Sequence, residues 1–326
     1  MADGPASGKS PDGPLVRRLV TRLWIAGGER AVAEAVLARA KEAAIDAGCV
    51  RDEEIPELGS HDALIDLGLP PAVVPAGNAL VEAERARAAS LGARAAGAAR
   101  VVRCSMLGAR ADAPSAWQRA HAAAESEHRS RVPDAVALRT GILFGSCGLA
   151  LALRRVTERF PIVAVPAIAG ARFEPLALAD FAAYCVEAAG SPAPLTDYYD
   201  LGCGEMLTGA LFAQGLAESL GVRRWVVPLP NVFVGLVARS LSSTEWSAGA
   251  LQHAFESVRV GRLLPRRLTA WDTFETRPVD LRSALASAAG MNFPLRRPGD
   301  GKRFRSWRAP EKKGLLGKSV PRRPRR

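Results

Sequence analysis

The stretch 100–127, RVVRCSMLGARADAPSAWQRAHAAAESE, constrains this chain more than any other. Val101 and Val102 read as a short buried strand, with Cys104-Ser105-Met106 at its end. A polar, Pro-containing loop runs to Ser115, which stands where it would cap the Ala-rich helix that starts near Ala116. On that helix Trp117 and His121 are four residues apart and share one face. Trp has no titratable proton and its N–H is a donor only. Strand, loop and helix in this order predict an α/β chain.

The alternation continues on both sides. Residues 22–26, RLWIA, read as a first strand, followed by Gly27-Gly28 and a helix over 29–47. Strand, glycines and helix is the order of a dinucleotide-binding turn, in which phosphate meets backbone N–H groups at a helix N-terminus. The turn reads AGGERAVAE, so Ala31 or Ala33 stands where later glycines belong. The Glu29 carboxylate near the helix start opposes a pyrophosphate. A Gly-Gly turn between strand and helix also needs no ligand.

Residues 48–75 should hold two more strand–helix units. They offer a polar connection (51–60), a short amphipathic piece (61–69) and one short strand at 72–74. This half of the sheet is therefore expected to be shortened. A helix follows over 76–97, then the stretch that opened the argument. Beyond it come a strand within 135–145, a helix over 149–160 and short strands at 161–166 and 171–176. A helix over 207–220, a strand within 223–230 and an amphipathic helix reaching 258 complete the pattern.

Charge is placed unevenly. Residues 296–326 hold thirteen Lys/Arg against Asp300 and Glu311, which gives +11, the formal charge of the whole chain, so residues 1–295 sum to zero. Such a block reads as a solvated tail or as a docking element for an acidic surface. Phe304 and Trp307 among its arginines favour docking, because aromatics beside Arg are common interface anchors. The five cysteines are scattered, without a C-x-x-C pair, which points to a reducing compartment. The four histidines are scattered too, and no metal set is expected. The longest apolar run, 140–153, is short for a membrane span and contains three glycines. At the N-terminus, 15–24 is basic and amphipathic, somewhat like a transit peptide, though Asp3 and Asp12 go against it. Gly8-Lys9-Ser10 is not a P-loop, because no strand precedes it and the motif's first Gly is missing.

Ser105 at a strand end with a residue pair one helical turn apart on the next helix resembles the extended and atypical short-chain dehydrogenase/reductases. In that family a Ser ends the strand and a Tyr-x-x-x-Lys pair faces the nicotinamide. Here Trp117 stands at the Tyr position and His121 at the Lys position. Further matches are Leu138-Arg139, then Gly141 and Phe144-Gly145; an acidic residue opening a helix, Asp180; and Tyr199-Asp200-Leu201-Gly202. Thr140 replaces the family's Pro. Trp246, the helix to 258 and Thr276-Arg277-Pro278-Val279-Asp280-Leu281 are similar to one branch, the NAD(P)H-binding accessory subunit of mitochondrial respiratory complex I and its bacterial relatives.

The resemblance implies a Rossmann-like doubly wound parallel sheet with a smaller C-terminal α/β lobe and a basic tail. The expected division is an extension (1–20), a nucleotide-binding domain (21–160), a lobe interleaved with its sheet (161–295) and the tail (296–326). It implies no catalytic residues, with Ser105, Trp117 and His121 as degenerate positions. NADPH or NADH would be held weakly or not at all, by Ala26, Gly27, Gly28, Ser105, His121 and Gly141, without metal. The expected role is an accessory subunit on the matrix side of the inner mitochondrial membrane, or in a bacterial cytoplasm. Its partners would be other protein subunits met through Phe304, Trp307 and the arginines, with anionic lipid next and nucleic acid behind. Two alternatives stand beside it: a working NAD(P)H-dependent reductase or isomerase using another acid, and an RNA- or lipid-binding scaffold acting through the tail.

Overall fold

The computed structural model describes residues 20–75, 77–166, 172–243, 246–260 and 270–290. The chain divides into two units, Met1–Arg296 and Arg297–Arg326, and every described residue lies in the first. The expected tail, with Phe304 and Trp307, lies outside the described residues.

Strand β1 (Arg22–Ala26) leads through Gly27 and Gly28 into helix α1 (Arg30–Glu42). Next come β2 (Asp46–Val50), β3 (Asp62–Asp66), α2 (Ala79–Arg94), β4 (Arg100–Met106), α3 (Ala116–Arg131) and β5 (Ala135–Thr140). The second part of the chain holds β6 (Leu143–Phe144), α4 (Gly148–Arg159), β7 (Ile162–Pro166), β8 (Arg172–Phe173), β9 (Leu176–Ala177) and α5 (Leu178–Gly190). It continues through β10 (Tyr198–Leu201), β11 (Leu207–Thr208), α6 (Gly209–Ser219), β12 (Trp225–Leu229), α7 (Val234–Leu241), α8 (Ala248–Val260) and α9 (Leu281–Ala288).

One parallel sheet runs β2-β1-β3-β4-β5-β10. On one side of β1 stand four strands, and on the other only β2. The chain passes from β2 to β3 through a 3₁₀ turn at Asp52–Glu54, without a helix. The N-terminal half is thus shortened by one strand–helix unit. Two expectations are corrected here. The helix expected to reach 47 stops at Glu42, because Ala44 turns to positive φ (56°) and the chain re-enters the sheet as β2. The strand expected at 72–74 is a 3₁₀ turn, Pro71–Val73, since consecutive prolines fix φ near the helical value.

Alternation along the strands divides the core. Leu23 and Ile25 of β1, Ile65 of β3, Val102 of β4 and Leu138 of β5 face α1 and α5, where Val36, Phe181 and Tyr184 meet them. Ala26, Leu64 and Val101 belong to the other face with Leu91 of α2. A separate core fills the C-terminal lobe around Phe144, Phe173 and Phe212, with Phe144 and Phe212 stacked 4.3 Å apart. The segment before α9 is strapped to α5. Val279 N–H donates to Asp180 (2.8 Å), Tyr184 Oη donates to the Thr276 carbonyl (3.0 Å), and Thr276 donates to Glu187. Burial lifts the Asp180 carboxyl to about 6, only partly offset by the Val279 N–H.

Candidate functional site

Four parallel strands end at one cleft. Gly28 follows β1, Gly68 follows β3, Met106 and Leu107 close β4, and Thr140 and Gly141 close β5; all line a cavity of about 220 Å³. A crevice at the carboxyl ends of the strands is where open α/β sheets take their ligands. Trp117, Ala120 and His121 of α3 and Trp246 form further walls. Of the residues singled out from the sequence, the fold brings Gly28, Ser105, Trp117, His121 and Gly141 to this cleft. Ala26 is instead fully buried in the core. Gly27 faces away from it, since a Cβ there would strike the Gly68 carbonyl and the Arg87 guanidinium.

Beneath the cleft lies a buried ionic cluster between the sheet, α2 and α3. Asp66, at the end of β3, is fully buried and accepts from Arg87, from Arg103 (2.7 Å), from His128 Nε2 (2.7 Å) and from Gly68 N–H (3.0 Å). Burial alone would raise this carboxyl. Arg103, Arg87 and the His128 hydrogen bond outweigh it and hold Asp66 well below the usual carboxylate range. Arg87 also grips Asp52 through two contacts (2.6 and 2.9 Å), and Arg103 reaches Glu84 (3.2 Å). Glu84 accepts in turn from Leu69 N–H (2.8 Å). The two helices come close enough for this because Gly92 of α2 meets α3 without a side chain; a Cβ there would press Arg131 at 2.9 Å.

The same network immobilises Ser105, Trp117 and His121. Trp117 Nε1–H donates to His121 Nε2 (2.5 Å), and Arg103 Nη2 stands 3.2 Å from His121 Nδ1. Both ring nitrogens face N–H groups, of which a neutral imidazole, carrying one N–H of its own, can accept only one. Burial together with the Arg103 charge holds its pKa well below the ordinary histidine value. Ser105 Oγ donates to Glu125 (2.6 Å), and Glu125 also takes Arg139 Nε (2.8 Å). Arg139, whose guanidinium lies 3.8 Å from the Tyr198 ring centre, is a structural ion-pair partner. Burial, only partly offset by Arg139, lifts Asp200 to about 6.

The glycine turn keeps its shape but not its surroundings. Gly27 and Gly28 both take φ +70°, where a side chain is strained, and Gly28 N–H donates to the Gly68 carbonyl (2.7 Å). Glu29 is buried, and its carboxylate accepts from Gly148 N–H at the start of α4 (2.9 and 3.1 Å). Val32 fills the next turn of α1 beside it. A pyrophosphate at this turn would meet a carboxylate and aliphatic walls, so the residues present do not fit the diphosphate of a dinucleotide. Glu29 is legible from the sequence as opposing phosphate, whereas Glu84, Arg103, Glu125 and Trp246 join the site only through tertiary contacts, Trp246 lying parallel to Trp117 across 129 positions. Among the described residues no group of three metal-ligating side chains occurs, and no helix is long and apolar enough to cross a membrane.

No protein-family model and no curated protein sequence matches the chain. Solved structures of similar fold do. The dTDP-4-dehydrorhamnose reductase of Bacillus anthracis, in complex with NADP, is 14% identical over 82% of this chain and 97% of its own, with a TM-score of 0.57. The human epimerase family protein SDR39U1, with NADPH, is 15% identical over 82% and 99% (TM-score 0.56). MoeE5, in complex with UDP-glucose and NAD, is 13% identical over 82% and 97% (TM-score 0.59). What they share with this chain at such identities is architecture: it has the Rossmann-like α/β fold of these NAD(P)-binding proteins.

Proposed function

We propose that this chain is a non-catalytic relative of the atypical short-chain dehydrogenase/reductases, acting as a subunit of a larger assembly. The observation that carries the reading is the Trp117–His121 pair, hydrogen-bonded to itself at the positions of the proton donor and its lysine. A positioned acid is worth ~10²–10⁴ in rate, and here the helix offers an indole without a titratable proton and an imidazole that burial and Arg103 bias toward its neutral form. The Glu29 carboxylate at the phosphate turn points the same way, and nicotinamide nucleotides are expected to bind in the high micromolar range or worse, on the order of −5 kcal/mol.

An assembly role is supported by the surface. Phe160, Ile162, Trp225, Val227, Val232 and Leu236 are all exposed, Trp225 at 77% and Val232 at 82%. Ile162 and Trp225 are register partners on the β7–β12 pair, so they stand side by side. Exposed apolar residues in such a group mark interaction surfaces. The basic stretch 296–326 would add an electrostatic contact. Respiratory complex I is the assembly favoured by the sequence pattern of Trp246 and of 276–281. The test is hydride transfer: the purified protein with NADPH or NADH and a panel of aldehydes, ketones and nucleotide sugars should show no turnover at 340 nm. Turnover that survives Trp117→Phe would overturn the proposal, because another residue would then supply the acid.

A further inference from the structure

We infer that the cleft takes a neutral, largely apolar ligand bearing a hydrogen-bond acceptor, in place of a dinucleotide. The inference rests on the reading of the cleft as non-catalytic and adds the chemistry of its occupant. Leu69, Leu80, Leu107, Ile142, Leu149 and Phe173 give the cavity aliphatic and aromatic walls. A volume of about 220 Å³ suits a small organic molecule. The polar groups that reach the wall are nearly all committed elsewhere. Ser105 is held by Glu125, His121 by Trp117, Glu84 by Arg103 and the Leu69 N–H, and Glu29 by the Gly148 N–H. The charged side chains lining the cavity, Glu29 and Glu84, are both acidic, which disfavours any anion.

Two polar groups in the wall have no partner among the described residues. Thr140 Oγ1 is buried at the end of β5, its residue only 7% exposed, and the Trp246 indole N–H is buried as well; both residues line the cavity. Leaving such groups unpaired is costly, and a ligand acceptor that reached the Trp246 N–H would relieve part of that cost. The indoles of Trp117 and Trp246 lie within 8° of parallel with centres 6.4 Å apart, which offers flat faces to a planar, unsaturated ligand. An apolar concavity with few placed polar groups is the usual form of a small-molecule site.

The test uses 6-propionyl-2-dimethylaminonaphthalene, a neutral planar fluorophore with a carbonyl acceptor, titrated into the full-length protein. The inference expects saturable binding of one probe per chain, with blue-shifted emission and energy transfer from the cleft tryptophans. Ala120→Phe, which fills the cleft, and Trp246→Phe, which removes the N–H but keeps a ring, should each weaken binding by about tenfold or more. Trp225→Ser on the exposed patch should leave it unchanged, and NADPH should not displace the probe. Circular dichroism checks that each variant is folded, and Trp246→Phe carries the test if Ala120→Phe is not. Non-saturable binding, binding indifferent to Trp246→Phe, loss in Trp225→Ser, or displacement by micromolar NADPH would each overturn the inference. Those results leave the hydride-transfer assay untouched, so the two readings can fail separately.

Discussion

Replacing Asp66 by Asn is the sharpest test of the physics of this fold. The carboxylate is fully buried and accepts four hydrogen bonds, from Arg87, Arg103, His128 and the Gly68 N–H. Asparagine keeps the shape, removes the charge and turns an N–H₂ toward a guanidinium. Arg103, itself only 1% exposed, then keeps Glu84 alone, and Arg87 keeps only the half-exposed Asp52. Breaking a buried pair by removing one partner costs about 3–5 kcal/mol. For a unit of this size that is a fall in Tm of about 5–10 °C. The pH dependence follows from linkage. The folded pKa of Asp66 lies below its unfolded value of about 3.9, so its contribution is fully present above that value and is lost as pH falls through the folded pKa. Urea unfolding of both proteins between pH 7 and pH 3 should give a constant gap down to about pH 5 that narrows below about pH 4. A gap under about 1 kcal/mol at pH 7, or one that persists unchanged into acid, refutes the idea that Asp66 anchors the cluster.

Asp180 should behave with the opposite sign: its folded pKa of about 6 is raised, so the ionised form opposes folding at neutral pH. Asp180→Asn should therefore raise the unfolding free energy from urea titration at pH 8 by on the order of 2 kcal/mol, an advantage that fades as pH falls through 6 and is gone near 4. Restoring the family's pair with Trp117→Tyr and His121→Lys together should give no hydride transfer, because Glu29 still lines the phosphate turn; NADPH-dependent turnover in a stopped-flow assay would show that the cleft seats the nucleotide after all. Deleting residues 300–326 should leave Tm within about 1 °C while weakening assembly in a salt-dependent way. Unchanged assembly at physiological salt would move the partner surface to the β7–β12 patch.

Much of this architecture was legible, and the failures have physical causes. Strands β4 and β5 are buried on both faces and carry the apolar runs Val101-Val102 and Ala135–Leu138, and α3 and α4 follow them at the expected spacing. The edge strand β2, DAGCV, has no buried position and hence no period-2 signal, so the Ala-rich stretch before it read as continuing helix. Strand β3, DALID, is five residues framed by aspartates, and its last residue is the buried Asp66 whose partners come from α2, β4 and α3. At the site, Trp117 and His121 were readable from their spacing of four. Trp246 was not, because its approach to Trp117 spans 129 positions and leaves no local pattern.

The contact between Glu29 and the start of α4 has one more consequence. The Glu29 carboxylate satisfies the Gly148 N–H and sits at the positive end of a helix, a place where proteins of this architecture can receive an anion. Here the anion is part of the chain, and it ties the β1–α1 turn to the second half of the molecule. A protein whose halves are joined by a diffusible ligand gains stability with the concentration of that ligand. This one carries its own counter-charge at fixed stoichiometry, so its folded population should depend little on the nucleotide level around it.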